Sequence, residues 1–195
     1  MSAKSANVNG EMLNHKDFLP EYCTRRTVIL GCGNILLGDD GFGPEVIKCL
    51  QTRYPPPADV ALVDAGTGVV DLLFNITLSE VKPERIILVD AMGRNLPPGT
   101  VSVLPLESVQ GQEIRTYSQH QIPTSSLLKD LHEISGIEIS LLTVEPENIP
   151  QEIQTGLSPI VGHAVLQACD FIVAKYYTDN QHPASQGISN QAVID

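Results

Sequence analysis

The segment TVILGCGNILLGDDGFGPEVI, residues 27–47, contains the features that decide the fold. Its first part, Thr27–Leu30, is a run of β-branched and apolar residues that ends at a glycine, which predicts a buried strand. Pro44 precedes apolar residues at helical spacing, which predicts a helix that begins near it. The Gly-x-Gly pair between them is typical of a phosphate-binding loop, but Asp39 and Asp40 follow it and their charges would repel a phosphate.

Strand-like and helix-like segments continue to alternate along the chain. The patterns predict strands at 59–66, 85–92, 100–106 and 137–146, and helices at 69–78, 123–135 and 158–177. In the segment 100–106, apolar residues alternate with others, and the segment follows a turn, so it is a candidate antiparallel strand. Near-continuous apolar strands between helices predict an α/β domain with a largely parallel sheet and helices on both faces.

The length and composition indicate one domain of ordinary size. The chain has 195 residues, of which 42% are hydrophobic and 18% charged. We predict a flexible N-terminal arm at 1–24, a single α/β domain at 25–178 and a flexible C-terminal tail at 179–195. The formal net charge of −11 argues against a nucleic-acid partner and against an anionic membrane surface.

The ends of the chain and the cysteines predict a cytoplasmic protein. The first twenty residues lack the apolar stretch of a signal peptide, and no apolar run approaches the ~20 residues that span a bilayer. The four cysteines have neither zinc-site nor disulfide spacing, so we expect reduced thiols. Cys32 lies between two glycines, and a small buried thiol is its expected role.

Acidic residues and one histidine collect near the predicted strand ends. Asp39 and Asp40 follow the first strand, Asp64 ends the second, Asp90 ends the third, and His120 precedes a helix. Ligands of such sheets bind at the carboxyl ends of the strands, so these side chains could converge. Carboxylates and an imidazole suit a divalent metal, whereas converging carboxylates without a cation would repel and one would stay protonated.

Each of these residues also has a purely structural interpretation. Asp64 could cap the turn that contains Gly66 and Thr67, and Asp39 could belong to an ordinary turn. His120 could cap a loop or face solvent. The prediction of a site therefore depends on the set of residues rather than on any single one.

Two other α/β functions use related patterns, and the sequence disfavours both. A dinucleotide fingerprint needs a third glycine, but Leu36 stands at that position. A receiver-type phosphoacceptor places its acidic pair at the strand end, whereas here the pair comes later. No lysine follows the fifth strand, which ends in LLTVEP, to hold a phosphoryl group.

The ordered motifs GCGNILLGDDGFGPEVI, DAGT, ILVDAM, SQHQIP and GLSP resemble those of the hydrogenase maturation proteases and extend over residues 26–175. The resemblance implies an endopeptidase that trims a C-terminal extension from the nickel-containing large subunit of a [NiFe] hydrogenase. It also implies a three-layer α/β/α sandwich with a five-stranded, mostly parallel sheet that contains one antiparallel strand.

The resemblance assigns roles to individual positions. Asp40, Asp90 and His120 match the family's metal-binding and catalytic residues, and Asp40 stands where the family often has glutamate. These residues would engage nickel already installed in the precursor, so the substrate supplies the metal and no organic cofactor is expected. The DAGT segment, with Asp64, Gly66 and Thr67, matches positions linked with substrate recognition.

Finer features leave the branch and the mechanism open. The segments DAMGRNLPPGTV and HQIPTSSLLKDL are most similar to the branch that serves the coenzyme F420-reducing hydrogenase of methanogenic archaea. Hydrolysis could use a metal-activated water or an aspartate as general base. No G-x-S-x-G motif is present, and Cys32 has no evident base partner. A non-catalytic chaperone that checks the precursor for nickel is the alternative.

Overall fold

Six strands form one sheet in the computed structural model, which describes residues 20–109, 125–177 and 192–194. The order across the sheet is β2-β1-β3-β5-β4-β6. The strands are β1 (Thr27–Cys32), β2 (Val60–Gly66), β3 (Arg85–Ala91), β4 (Val101–Pro105), β5 (Glu138–Val144) and β6 (Ala192–Ile194). The helices are α1 (Phe42–Arg53), α2 (Val69–Leu78), α3 (Ser125–Ser135) and α4 (Pro159–Ile172), which a turn of π-helix, Val173–Tyr177, extends.

Helices cover both faces of the sheet and make three layers. Alternate residues of β1 point to opposite faces, because successive side chains of a strand alternate. Val28 and Leu30 pack in one apolar cluster with α2 and α3. Ile29 packs in the other cluster with α1 and α4. The central strands are therefore buried on both sides, which is why their sequences are near-continuous apolar runs.

The predicted sheet is confirmed. β1, β2, β3 and β5 are parallel, and β4 runs antiparallel to β5. The short strand β6 pairs antiparallel with β4 and extends the sheet by three residues. The sequence did not predict this strand, because three apolar residues in an Asn/Gln/Ser-rich segment give no periodic signal.

The described parts of the predicted arm and tail carry structure. Glu21–Thr24 forms a 3-10 turn whose Cys23 is fully buried, and β6 belongs to the predicted tail. The division into arm, domain and tail otherwise stays a prediction. No helix within the described ranges is long and apolar enough to cross a membrane, and the cytoplasmic location stays a prediction.

The start of α1 lies directly against the backbone of the sheet. A Cβ atom on Gly43 would lie 2.3 Å from the carbonyl oxygen of Cys32 in β1 and 2.4 Å from that of Val89 in β3. Only a residue without a side chain permits this approach. The contact brings the loop between β1 and α1 over the carboxyl ends of the two central strands.

Replacing Gly43 by alanine should therefore destabilise the protein by about 1–3 kcal/mol or more, as overpacking does. Gly162→Ala is the matched control, because a Cβ atom on Gly162 in α4 would meet none of the described residues within 4 Å. Alanine is about 1 kcal/mol better than glycine inside a helix, so the control should be neutral or stabilising. Chemical denaturation of both variants measures this, and equal stabilities would contradict the packing.

Candidate active site

The loop after β1 folds back on itself beside the 3-10 turn Gly38–Gly41. Gly33 has a φ of 121°, and a Cβ atom there would lie 1.8 Å from the carbonyl oxygen of Asp40. The amide of Asn34 donates to Asp40 Oδ2 at 2.9 Å, and Asn34 Oδ1 accepts from the amide of Leu36 at 3.0 Å. Gly33 and Asn34 thus fix where the Asp40 carboxylate lies.

Asp39 has a structural role, which extends beyond the ordinary turn that the sequence suggested. Its side chain is buried, and Oδ1 accepts from the amide of Ser158 at 2.7 Å. Oδ2 accepts from the amides of Glu147 and Asn148 at 2.9 and 3.0 Å and from Ser158 Oγ at 3.0 Å. Asp39 therefore ties the loop to the segment after β5 and to Ser158, the N-cap of α4.

Asp40 and Asp90 form the core of the candidate site. Asp40 is 1% exposed, and Asp90, near the carboxyl end of β3, is 8% exposed. Burial, and secondarily the charge of Asp40, raises the pKa of the Asp90 carboxyl to about 7, while a bond from the amide of Ala91 opposes the shift. The charge of Asp40 acts on Asp90, so these two carboxylates lie near each other, and a bound cation would offset their repulsion. Their roles in metal binding and catalysis stay a prediction.

Cys32 lies among the carboxylates without the character of a nucleophile. Burial, followed by the charges of Asp90, Asp64 and Asp40, raises the pKa of its thiol well above the ordinary value. Its Sγ is 3.7 Å from the carbonyl oxygen of Leu30, to which it donates. A protonated thiol is a poor nucleophile, so the small buried thiol predicted from the sequence is what the structure contains.

The DAGT segment lies beside the same loop. Asp64 is exposed, and its Oδ1 accepts from the amide of Gly66 at 3.1 Å, which is the turn-capping role. The carbonyl of Gly66 in turn accepts from the amide of Gly33 at 3.0 Å. Thr67 is exposed next to this turn. The role of Asp64, Gly66 and Thr67 in substrate recognition stays a prediction.

His120 lies outside the described residues, so the third member of the predicted set is untested. Within the ranges that the structure describes, no three His, Cys, Asp or Glu side chains are grouped so as to hold a metal. Two of the three predicted ligands, Asp40 and Asp90, lie within the described residues, and their role in binding a metal stays a prediction.

Glu145 is a buried carboxylate that the sequence analysis did not select. Its Oε2 accepts from the amide of Arg94 at 2.7 Å, and its Oε1 accepts from the amide of Asn95 at 3.2 Å. Asn95 has a φ of 60°, so Glu145 holds a left-handed turn in the loop that follows Asp90. The sequence feature that could have identified Glu145 is its position directly after β5, at the same edge of the sheet as Asp90.

Removing the Asp39 carboxylate should destabilise the fold, because four donors lose their acceptor. We expect Asp39→Ala to cost about 2–4 kcal/mol, since single bonds to a charged group contribute about 1.5–3 kcal/mol. Denaturant unfolding measures the loss. Asp71→Ala, at an exposed position on α2, is the control and should change stability little. An Asp39→Ala variant as stable as this control would contradict the anchoring role.

Asp90→Asn should stabilise the isolated protein in a pH-dependent way. The folded-state pKa of about 7 exceeds the ordinary 3.8, so Asp90 costs nothing below about pH 4. Wild-type stability then falls by up to about 1.4 kcal/mol per pH unit until the pH passes about 7. The free energy of unfolding should be larger for the variant than for the wild type at about pH 8 and equal to it at about pH 4. The same difference at both pH values would contradict the raised pKa of Asp90.

Comparisons with known proteins agree with this architecture. A family model described as hydrogenase maturation protease matches residues 44–175, a range that includes Asp64, Asp90 and His120 and begins after Asp40. The coenzyme F420 hydrogenase subunit delta of Methanothermobacter thermautotrophicus is 35% identical over 151 residues, which cover 75% of this chain and 91% of the relative.

A sequence relative and a solved structure, both from Escherichia coli, extend the comparison. The hydrogenase 2 maturation protease is 30% identical over 152 residues, covering 76% of this chain and 89% of the relative. The structure of the hydrogenase maturating endopeptidase HybD superimposes with a TM-score of 0.64 at 27% identity and covers 80% of this chain and 94% of that one. Sequence motifs, fold and family model agree, and the chain belongs to the hydrogenase maturation protease family.

Proposed function

We propose that this protein is an endopeptidase that removes the C-terminal extension of a [NiFe] hydrogenase large-subunit precursor after nickel has been inserted. The observation that carries the proposal is the pair of buried carboxylates, Asp40 and Asp90, at the carboxyl edge of the sheet in a member of this family. The relatives named as hydrogenase maturation proteases support the reaction class.

Recognition of nickel explains why two acids are buried together. Asp40 and Asp90, with His120 as the third ligand, grip the nickel that the precursor already holds, so the metal is part of the substrate. Carboxylate and imidazole ligands suit such a cation. A precursor without nickel leaves the repulsion between the two carboxylates uncompensated, so it is a poor substrate and processing waits for the metal.

Hydrolysis adds water across the scissile peptide bond. The water oxygen bonds to the carbonyl carbon, the carbon–nitrogen bond breaks, and a proton passes from the water to the leaving amine. The proton transfer has two candidate agents: a water activated by the substrate's nickel, or an aspartate that does not bind the nickel and acts as general base. In this aspartyl-type scheme, the nickel of the substrate supplies polarisation of the carbonyl.

We further propose that the substrate belongs to a coenzyme F420-reducing hydrogenase of a methanogenic archaeon. The support is the 35% identity to the coenzyme F420 hydrogenase subunit delta, together with the DAMGRNLPPGTV segment. This part of the proposal is tested by offering precursors of different [NiFe] hydrogenases. Faster cleavage of another hydrogenase's precursor would contradict it.

The cleavage reaction is tested with nickel-loaded precursor and purified protein. Wild-type protein should shorten the large subunit, whereas Asp40→Asn, Asp90→Asn and His120→Ala should each reduce the rate by at least about 100-fold, as the loss of a metal ligand or general base does. Asp71→Asn and His163→Ala change exposed residues of the same types and are the matched controls. Mass spectrometry of the large subunit gives the readout.

Two outcomes distinguish the protease from a chaperone. A wild-type protein that binds the precursor but leaves its extension intact would support the non-catalytic alternative and reject the proposal. Cleavage at the wild-type rate by the three site variants would reject the site. Equal cleavage of nickel-free and nickel-loaded precursor would reject nickel recognition.

A further inference from the structure

One edge of the sheet is open in the part of the chain that the structure describes. The outer edge of β4 is covered by β6, whereas β2 is the last strand on the other side and has β1 as its strand neighbour. Both faces of β2 pack on the core: Ala61 and Val63 contact one apolar cluster, and Leu62 contacts the other. What β2 leaves uncovered is its outer main chain.

The register identifies which main-chain groups face outward. The amide of Thr27 donates to the carbonyl of Asp59 at 3.0 Å, so in a parallel ladder the alternate residues Asp59, Ala61 and Val63 face β1. Leu62 and Asp64 then direct their amides and carbonyls away from the sheet. The amide of Val60, the residue before Ala61, also points away from β1, because it donates to the carbonyl of Pro57. Among the described residues, the outward groups of Leu62 and Asp64 have no hydrogen-bond partner.

A groove of about 410 Å³ runs along this edge. Besides residues of β2, its lining includes Tyr22, Arg25, Gln51 and Pro56. The charge of Arg25 is paired with Glu21, and its guanidinium also donates to the carbonyl of Ala58. The lining is therefore mostly apolar, with Gln51 and the Glu21–Arg25 ion pair as its polar members.

The sequence of β2 lacks the features that protect edge strands from pairing. VALVDAG contains no lysine, no proline and a single charge at Asp64. A long apolar edge without such residues pairs readily with another extended chain. Free amides and carbonyls at alternate residues recognise peptide main chain, and the apolar surroundings favour alternating apolar side chains over charged ones.

We propose that an extended, apolar-alternating segment of the precursor's C-terminal extension adds to the outer edge of β2 as a further strand, bonded to the main chain of Leu62 and Asp64. The inference rests on the proposed function and names how that substrate is held. Tyr22 and Pro56, which line the groove, contact the alternate side chains of this added segment.

The docked strand lies within reach of the active site. Neighbouring strands are ~4.8 Å apart, so a strand bonded beside Asp64 lies ~14 Å sideways from Val89 of β3, the residue before Asp90. About four or five extended residues at ~3.3 Å each cover that distance. The bond from the Gly33 amide to the Gly66 carbonyl joins the end of β2 to the loop that carries Asp40. The edge therefore holds residues several positions away from the scissile bond.

The test compares Leu62→Pro with Leu62→Ala in cleavage of nickel-loaded precursor. Both variants lose the leucine side chain, but only proline lacks the outward amide, and an outward amide is where an edge strand tolerates proline. We expect KM to be about ten-fold higher for Leu62→Pro than for Leu62→Ala, with similar kcat. The proline removes the hydrogen bond from the amide at position 62 to the substrate, and its ring blocks the approach of the substrate strand. Equal KM values for the two folded variants overturn the proposal.

Amide hydrogen exchange gives a second readout that does not depend on a variant folding. A synthetic peptide with the sequence of the extension should slow exchange at Leu62 and Asp64 of the wild-type protein, while Ala61 and Val63, already bonded to β1, change little. Exchange unchanged at both outward amides overturns the proposal. So does protection that grows with protein concentration in the absence of peptide, because a second copy would then occupy the edge.

The two proposals fail in different ways. If the wild-type protein does not cleave nickel-loaded precursor, the endopeptidase function is rejected, whereas peptide-dependent protection of Leu62 and Asp64 still supports docking at β2. If the wild-type protein cleaves the precursor, but KM is equal for the two Leu62 variants and the peptide does not slow exchange at Leu62 and Asp64, the endopeptidase function is retained and docking at β2 is rejected.

Discussion

The carboxylate of Asp39 holds together the part of the structure on which the candidate site depends. It accepts four hydrogen bonds from residues 108 to 119 positions away along the chain, which fixes the loop after β1 against the segment after β5 and the start of α4. The next residue, Asp40, is thereby held near Asp90. Two adjacent acids have different tasks: Asp39 is fully engaged in the fold, and Asp40 belongs to the site.

The site carries an electrostatic cost that its proposed function would relieve. Burying Asp90 near Asp40 raises the Asp90 pKa to about 7, so ionisation of both groups is unfavourable in the isolated protein. A divalent cation between them reverses the balance. Under the proposed function, the same arrangement that weakens the free protein near neutral pH would make it selective for a metal-bearing partner, and such a loss of stability in exchange for function is common at active sites.

The two edges of the sheet differ in whether another strand covers them. This difference matters for the proposed binding of a peptide substrate. One edge is closed by three residues near the C-terminus, and at the other edge β2, beside the DAGT turn, has no strand on its outer side among the described residues. The turn is bonded to the loop of Asp40 through Gly66 and Gly33. Peptide binding at β2 and metal recognition at Asp40 would therefore act on one connected piece of structure.

The sequence by itself determined the elements and the ends at which chemistry collects. Apolar runs and helical spacing are local properties, so the five principal strands, the four helices and the placement of Asp40 and Asp90 after parallel strands could be predicted. The tertiary structure decided what depends on distant contacts. These are the anchoring bonds of Asp39, the raised pKa of Asp90, the loop held by Glu145, the pairing of β6 and the place of β2 at one edge of the described sheet. Each arises from groups far apart in the chain, whose distances no local pattern encodes.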